Sequence, residues 1–364
     1  MVAASELPID TVREGTSAVD MANEIFGDGV TVTGATYTGD RDSAGIYSDG
    51  NNTAPGVAPS ETGVILSTGE GEDFTNSNGQ SNQSTNTSTN TSGSNNVSQY
   101  NNAAGARTYD AATLDVDFIP DSALMTMQFV FSSEEYPEFA TSQYQDFFGV
   151  WVNGQLVPLS VGNGDTDPGN INTTSNINIY VDNTSDDFNT EMDGFTVTMT
   201  LTMAVNPDVL NSIRIAIADV SDSNYDSNVL IAGNSVQTEL VALTDAVNVY
   251  PTGTTTVDVL ANDVNSGAST MTITHINGQP ATVGTAITLP TGQQVTLNAD
   301  GTFGVVGDGD IEDFNFTYTV DNGINTDVGL VNATSIPCFV AGTLIATPQG
   351  RRRVDHLAAG DFIL

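Results

Sequence analysis

Apolar residues recur at every second position through most of this chain. The pattern is clearest from Thr196 to Val205, where Val197, Met199, Leu201, Met203 and Val205 alternate with hydroxyl-bearing or small residues. It returns at Met125, Met127, Phe129 and Phe131, at Ile177, Ile179 and Val181, and at Ile213, Ile215 and Ile217. A strand with period two buries one face, so these segments predict a jelly-roll-like antiparallel sandwich. Helical spacing stands out once, at Ala18, Met21, Ala22 and Ile25, with Thr16 or Ser17 as cap and Gly27 as stop. The expected order is an N-terminal tail over 1–16 and a β-sandwich over 17–240.

Two shifts in composition divide the chain further. Residues 76–106 are almost wholly Asn, Ser, Thr, Gly and Gln, including Ser84-Thr-Asn-Thr-Ser-Thr-Asn-Thr91. Such a segment buries too little apolar area to offset its ordering entropy, which predicts a solvated insertion. The other reading is a Thr-x-Thr ladder on a strand, able to order water or ice or to bind sugar. Past a boundary at 240–247, short strands are expected at 257–263, 271–275, 294–301 and 314–320, separated by turn residues. Over 245–335 they predict a small immunoglobulin-like β-sandwich.

Charge narrows the functional classes. The chain holds 45 acidic and seven basic residues, a formal −38, and residues 1–337 contain four arginines and no lysine. Such a surface repels nucleic acid and anionic membranes and attracts divalent cations, although acidity also serves solubility alone. No run approaches the roughly 18 apolar residues of a membrane span, so membrane insertion is not expected. Met1 to Asp20 has neither a basic start nor an apolar run, so a secreted or cell-surface protein would be exported without an N-terminal signal peptide. Residues 1–240 hold no His, Cys or Lys, which removes the usual general bases, thiol nucleophiles and Schiff-base lysines. No conventional enzyme is expected in 1–337.

The single cysteine, Cys338, opens Cys-Phe-Val-Ala-Gly-Thr, followed later by Arg353-Val-Asp-His-Leu-Ala-Ala-Gly-Asp361. This stretch resembles the start of the Hint (hedgehog/intein) domain. The resemblance implies an N-to-S acyl shift, in which the Cys338 thiolate attacks the carbonyl of Pro337 and turns the peptide bond into a thioester. In that family a later Thr-x-x-His block polarises the scissile amide. Residues 338–364 hold no such block, and His356 does not match it. The segment is therefore expected to be a truncated Hint β-fragment, with self-cleavage requiring the rest of that domain. The alternative for Cys338 is a buried small residue opening a strand.

A second constellation lies in the sandwich. Phe131-Ser-Ser-Glu-Glu-Tyr-Pro-Glu-Phe139, Gln145-Asp-Phe-Phe-Gly-Val-Trp-Val-Asn-Gly154 and Ile217-Ala-Asp-Val-Ser-Asp-Ser-Asn-Tyr-Asp-Ser-Asn228 resemble signature stretches of the bacterial choice-of-anchor L domain. Members are surface or secreted proteins, and the resemblance implies no catalytic activity. Asp222, Asn224, Asp226 and Asn228 present oxygens at alternate positions, as calcium loops do, but the flanks are strands and the spacing is not an EF-hand. Glu134, Glu135, Asp146 and Asp219 are candidates to complete a calcium site in this first domain, the other reading being carboxylates that merely fix turns. Adjacent Glu134 and Glu135 would point to opposite faces of a strand, so they cannot flank one glycosidic bond. Trp151, Tyr136 and Tyr144 offer a sugar-stacking platform if they are exposed, which keeps a carbohydrate-binding or carbohydrate-active module open.

Residues 245–335 resemble cadherin-like, VCBS-type immunoglobulin modules through Asp258-Val-Leu-Ala-Asn-Asp263, Leu297-Asn-Ala-Asp-Gly301 and Phe316-Thr-Tyr-Thr-Val-Asp-Asn-Gly323. Such modules act as spacers, and the resemblance makes Asn262, Asp263 and Asp321 candidate calcium ligands. The expected partners of the whole are extracellular matrix, a glycan or copies of the chain itself. Nucleic acid is not among them. A self-processing domain carrying an inert passenger is the competing assignment.

Overall fold

A computed structural model describes residues 5–75, 96–165, 167–267, 269–336, 343–357 and 362. The chain is all-β, with short helices only. Its first part is a sandwich of two sheets. One sheet runs Ile9–Thr11, Ala44–Tyr47, Gly63–Ser67, Ser227–Ala232, Leu124–Ser133, Gly194–Thr196, Tyr180–Asp182, with Met199–Ala204 also paired to Leu124–Ser133. The facing sheet runs Val30–Thr38, Thr108–Pro120, Asn211–Val220, Phe147–Val152, Gln155–Leu156. Every pairing along both is antiparallel. Between them lie the inward rows Phe129 and Phe131, Ile213, Ile215 and Ile217, Val229 and Ile231, Leu114, Val116 and Phe118. The sandwich thus closes by burying the period-two apolar rows.

The predicted N-terminal helix forms over Ala18–Ile25. Ser17 accepts a hydrogen bond from the Asp20 amide while the Asp20 carboxylate accepts from the Ser17 amide, a reciprocal cap. Met21, Ala22 and Ile25 face the core. Beyond it the fold departs from the expected elements in several places, and the strand expected at 257–263 is a turn between Thr254–Val257 and Val264–Asn265. The predicted tail contains the strand Ile9–Thr11, held because Leu7, Ile9 and Thr11 alternate inward. Within the predicted polar insertion, residues 76–95 lie outside the described residues, but Ser98–Ala104 is a helix. Tyr100 anchors it by stacking on Trp151 at 5.4 Å. The row at 177–181 begins as a 3-10 turn, Ile177–Ile179, before its strand Tyr180–Asp182.

A second core, around Ile276, Val295, Phe303, Phe316, Tyr318 and Val331, fills the space between two further sheets. One runs Asp245–Val249, Thr326–Ser335, Asp313–Asp321, Thr272–Ile276, Gln279–Pro280 and the other Thr254–Val257, Phe303–Val306, Gln294–Leu297, Ala286–Thr288. Asp245–Val249 pairs with Thr326–Ser335 in parallel, which lets the strand entering this part lie beside the one that leaves it. Farther on, Leu344–Thr347 and Gly350–Arg353 form a hairpin.

Candidate functional site

The inward rows of the first sandwich all turn polar at one end. Moving two residues past the apolar part of each strand gives Asp110 before Ala112, Ser133 and Glu135 after Phe131, and Asp146 before Phe148. The same step gives Asp219 after Ile217, Ser227 before Val229, and Thr68 after Leu66. All of these residues are buried. Four carboxylates, joined by Asp226, thus lie buried around this end of the sandwich, Asp110 at a register shift of its strand.

Thr68 makes a side-chain hydrogen bond to Asp219. Asp146 accepts from the Val220 amide at 3.1 Å and from Ser227 Oγ at 2.7 Å. The Ser227 and Ser133 hydroxyls lie 2.8 Å apart, and Thr68 Oγ1 accepts the Ser227 amide at 3.0 Å. Asp219 Oδ1 and Glu135 Oε2 are buried with no hydrogen-bond partner. Burial pushes the Asp146 carboxyl well above its ordinary range, with Glu135 adding to it and Ser227 opposing. Asp219 is raised the same way, by burial and then by Asp146. Glu135 is pushed up to about 8 by burial, then by Asp222 and Glu138. The charges bearing on these three acids are thus other carboxylates, and an isolated ionised carboxylate in such a place is costly.

Of the first-domain residues singled out from sequence, Glu135, Asp146, Asp219 and Asp226 meet here, with Asp222 at the rim. Glu134 and Asn228 do not. They sit on the opposite face of the sheet, where Asn228 Nδ2 contacts Met192 Sδ at 3.1 Å. Asn224 is exposed, and its amide closes a turn onto Asp222 Oδ1. Sequence reasoning missed Asp110, Thr68, Ser133 and Ser227. Extending each apolar row by one more step of two would have found them.

In the second part, Asp263 accepts from the Leu243 amide at 2.8 Å and lies 3.1 Å from Tyr318 Oη. Its acidic neighbour is Asp245, which composition did not single out. Asn262 is exposed and reaches the Thr244 carbonyl, while Asp321 accepts the Gly323 amide within its own turn. Cys338 and Pro337 lie outside the described residues. The sugar platform does not form as drawn, because Trp151 is buried beneath Tyr100, Tyr136 is fully buried, and Tyr144 packs edge-on against Phe139. Among the described residues no group of three or more Asp, Glu, His or Cys is placed so that it could hold a metal ion, and no helix is long and apolar enough to cross a membrane.

The sequence model of the choice-of-anchor L domain matches residues 10–237. The chain belongs to the choice-of-anchor L family. That match spans the whole first sandwich, including all six polar row ends, and membership points to a surface-associated β-sandwich protein. No curated protein matches the chain. Among solved structures it is similar to titin domains z1z2 in complex with telethonin, at 7% identity and TM-score 0.17, covering 63% of this chain and 89% of that one. It is also similar to the BSP domain of a biofilm associated protein, at 7% identity and TM-score 0.14, covering 62% and 48%. Likenesses this distant carry no functional argument for the choice-of-anchor L chain.

Proposed function

We propose that this choice-of-anchor L protein is a secreted or cell-surface bacterial protein whose acidic sandwich is stabilised by calcium and serves extracellular adhesion or matrix assembly. The observation that supports it is the buried end of the sandwich, where Asp146, Asp219 and Glu135 lose their water to one another. Two buried carboxylate oxygens there have no hydrogen-bond donor. An all-oxygen donor set of carboxylates and hydroxyls suits a hard cation and disfavours zinc or copper. A bound ion stabilises the folded state by mass action.

Thermal unfolding with calcium chloride or with a chelator tests this. Calcium is expected to raise Tm by several degrees, about 1–3 kcal/mol at millimolar ion. Asp146→Asn should abolish that response, and in chelator it should match or exceed the wild type, because an amide cannot ionise in the dry end of the sandwich. A Tm indifferent to chelation would remove the calcium assignment.

The Hint resemblance supports a second element of the same proposal, maturation by acyl shift at Cys338. Intact mass of protein expressed from the full reading frame is expected to show a product ending at Pro337 that Cys338→Ala lacks. A chain that stays whole would remove the processing step. Matrix components, glycans and further copies of the chain are the partner classes that fit an acidic surface protein.

A further inference from the structure

Two surface connections meet over the acidic end of the sandwich. The first, residues 134–146, joins strands Leu124–Ser133 and Phe147–Val152 and carries Glu135 near its start and Asp146 at its end. The second, residues 221–226, joins Asn211–Val220 and Ser227–Ala232, with Asp219 just before it and Asp226 at its end. Each side of the meeting thus brings two buried acids.

Attraction and repulsion are set against each other there. Ser221 Oγ donates to the Gln143 carbonyl at 2.8 Å, and the Glu134 amide donates to the Asp226 carbonyl at 3.1 Å. The Phe139 ring lies 5.4 Å from that of Tyr225. Contacts of these kinds are individually modest. Against them stand the carboxyls of the two sides, since in this desolvated setting Glu135 disfavours ionisation of Asp146, and Asp146 that of Asp219. The first connection also walls a cavity of about 270 Å³, to which Ser142, Gln143, Gln145 and Phe147 contribute opposite Val220. Asp146 lies in the chain between two of those wall residues.

Resting on the calcium assignment above, we propose that the cation is the latch between these two connections, so that removing it releases residues 134–146 and opens the cavity beside them. The acids come from both sides, so one ion placed among them converts their repulsion into a bridge. The surface offered to a partner then depends on the calcium of the medium.

Hydrogen exchange of the whole chain in calcium chloride or EGTA, read by peptide, tests the latch. Calcium is expected to slow exchange at 134–146 and 221–226 by about tenfold or more beyond any slowing in the 211–220 core strand, as local opening implies. Glu135→Gln, which removes one repelling charge, should raise protection of 134–146 in EGTA and shrink the calcium increment. If calcium raises Tm while both connections gain no more protection than the core strand, the ion is a uniform staple. In that case the latch is overturned and the calcium assignment stands. If neither Tm nor exchange responds, both fall.

Discussion

Tyr318 has one hydroxyl hydrogen, and four acceptor oxygens surround it. The Val259 carbonyl lies at 3.0 Å, both Asp263 oxygens at 3.1 Å and Asp245 Oδ2 at 3.4 Å. One donor cannot serve them all, so at least one further proton eases the site. Asp245 is raised to about 7 by burial and then by Asp263, while Asp263 is raised to about 6 by burial, with Asp258 adding to both. The unfolded chain releases these protons near the ordinary aspartate value of about 3.9. The folded state therefore holds more protons between about pH 4 and 7, and stability falls as pH rises across that window, then levels. In chelator, Asp245→Asn is expected to flatten its share of this decline and raise stability at pH 8 by on the order of 2 kcal/mol. Urea midpoints at pH 5 and pH 8 measure it, and an undiminished decline in the variant would place the effect elsewhere. The same residue-level logic governs Asp146 and Asp219, which continue the inward rows Phe148, Val150, Val152 and Ile213, Ile215, Ile217. An acid in an inward row is visible in sequence. That several such rows end together is not.

Among the elements, strands were more legible than helices. Alternation is a local property, and it marks Leu124–Ser133 and Asn211–Val220 without reference to partners. Where the row at 196–205 reads as one strand, the chain makes two. Gly194–Thr196 pairs with Tyr180–Asp182, and Met199–Ala204 pairs with the far half of Leu124–Ser133. Both pieces lie along the one strand Leu124–Ser133, Gly194 and Phe195 at its end and Met199–Ala204 along the rest. The helix Ser98–Ala104 was hidden because its composition is polar and Tyr100 is its one fully buried side chain, with Ala103 packed beside it. It forms because Trp151 and Phe147, more than forty residues later, present rings for Tyr100 to cover. Propensity is a weak prior that such tertiary contacts override.

At the scale of the whole molecule, side-chain amides tie the two sandwiches together. Asn178, buried, donates to Thr291 Oγ1 at 2.8 Å and to the Asn315 carbonyl at 3.0 Å, and accepts the Thr291 amide at 3.0 Å. Asn315 in turn donates to Asn176 Oδ1, and Gln128 donates to the Thr326 carbonyl at 2.7 Å. Asp327, fully buried, accepts from Thr200 of the first sandwich and from the Ala242 amide in the connection between the two. Amides suit such a seam because each offers donor and acceptor without charge. Asn178→Ala leaves the Thr291 amide and the Asn315 carbonyl without these partners, at a cost of about 2–3 kcal/mol. The wild type is expected to unfold in one transition by both Trp151 fluorescence and far-UV circular dichroism, and the variant in two separated ones. Coincident midpoints in the variant would show that the seam does not couple the parts.

The sequence by itself determined the all-β class, the helix at Ala18–Ile25, the inward faces of the long strands and the excess of acidic over basic residues. These follow from residue spacing and from charge counted along the chain. Only the tertiary structure decided that Asp110, Glu135, Asp146 and Asp219 share one dry end of the sandwich while Glu134 and Asn228 lie across the sheet. It alone joined Asp245 to Asp263 and left Asp321 in its own turn. The physical reason is that strand register is set between segments far apart in the chain. A carboxylate's energy depends on which other charges share its low-dielectric surroundings once those segments have paired.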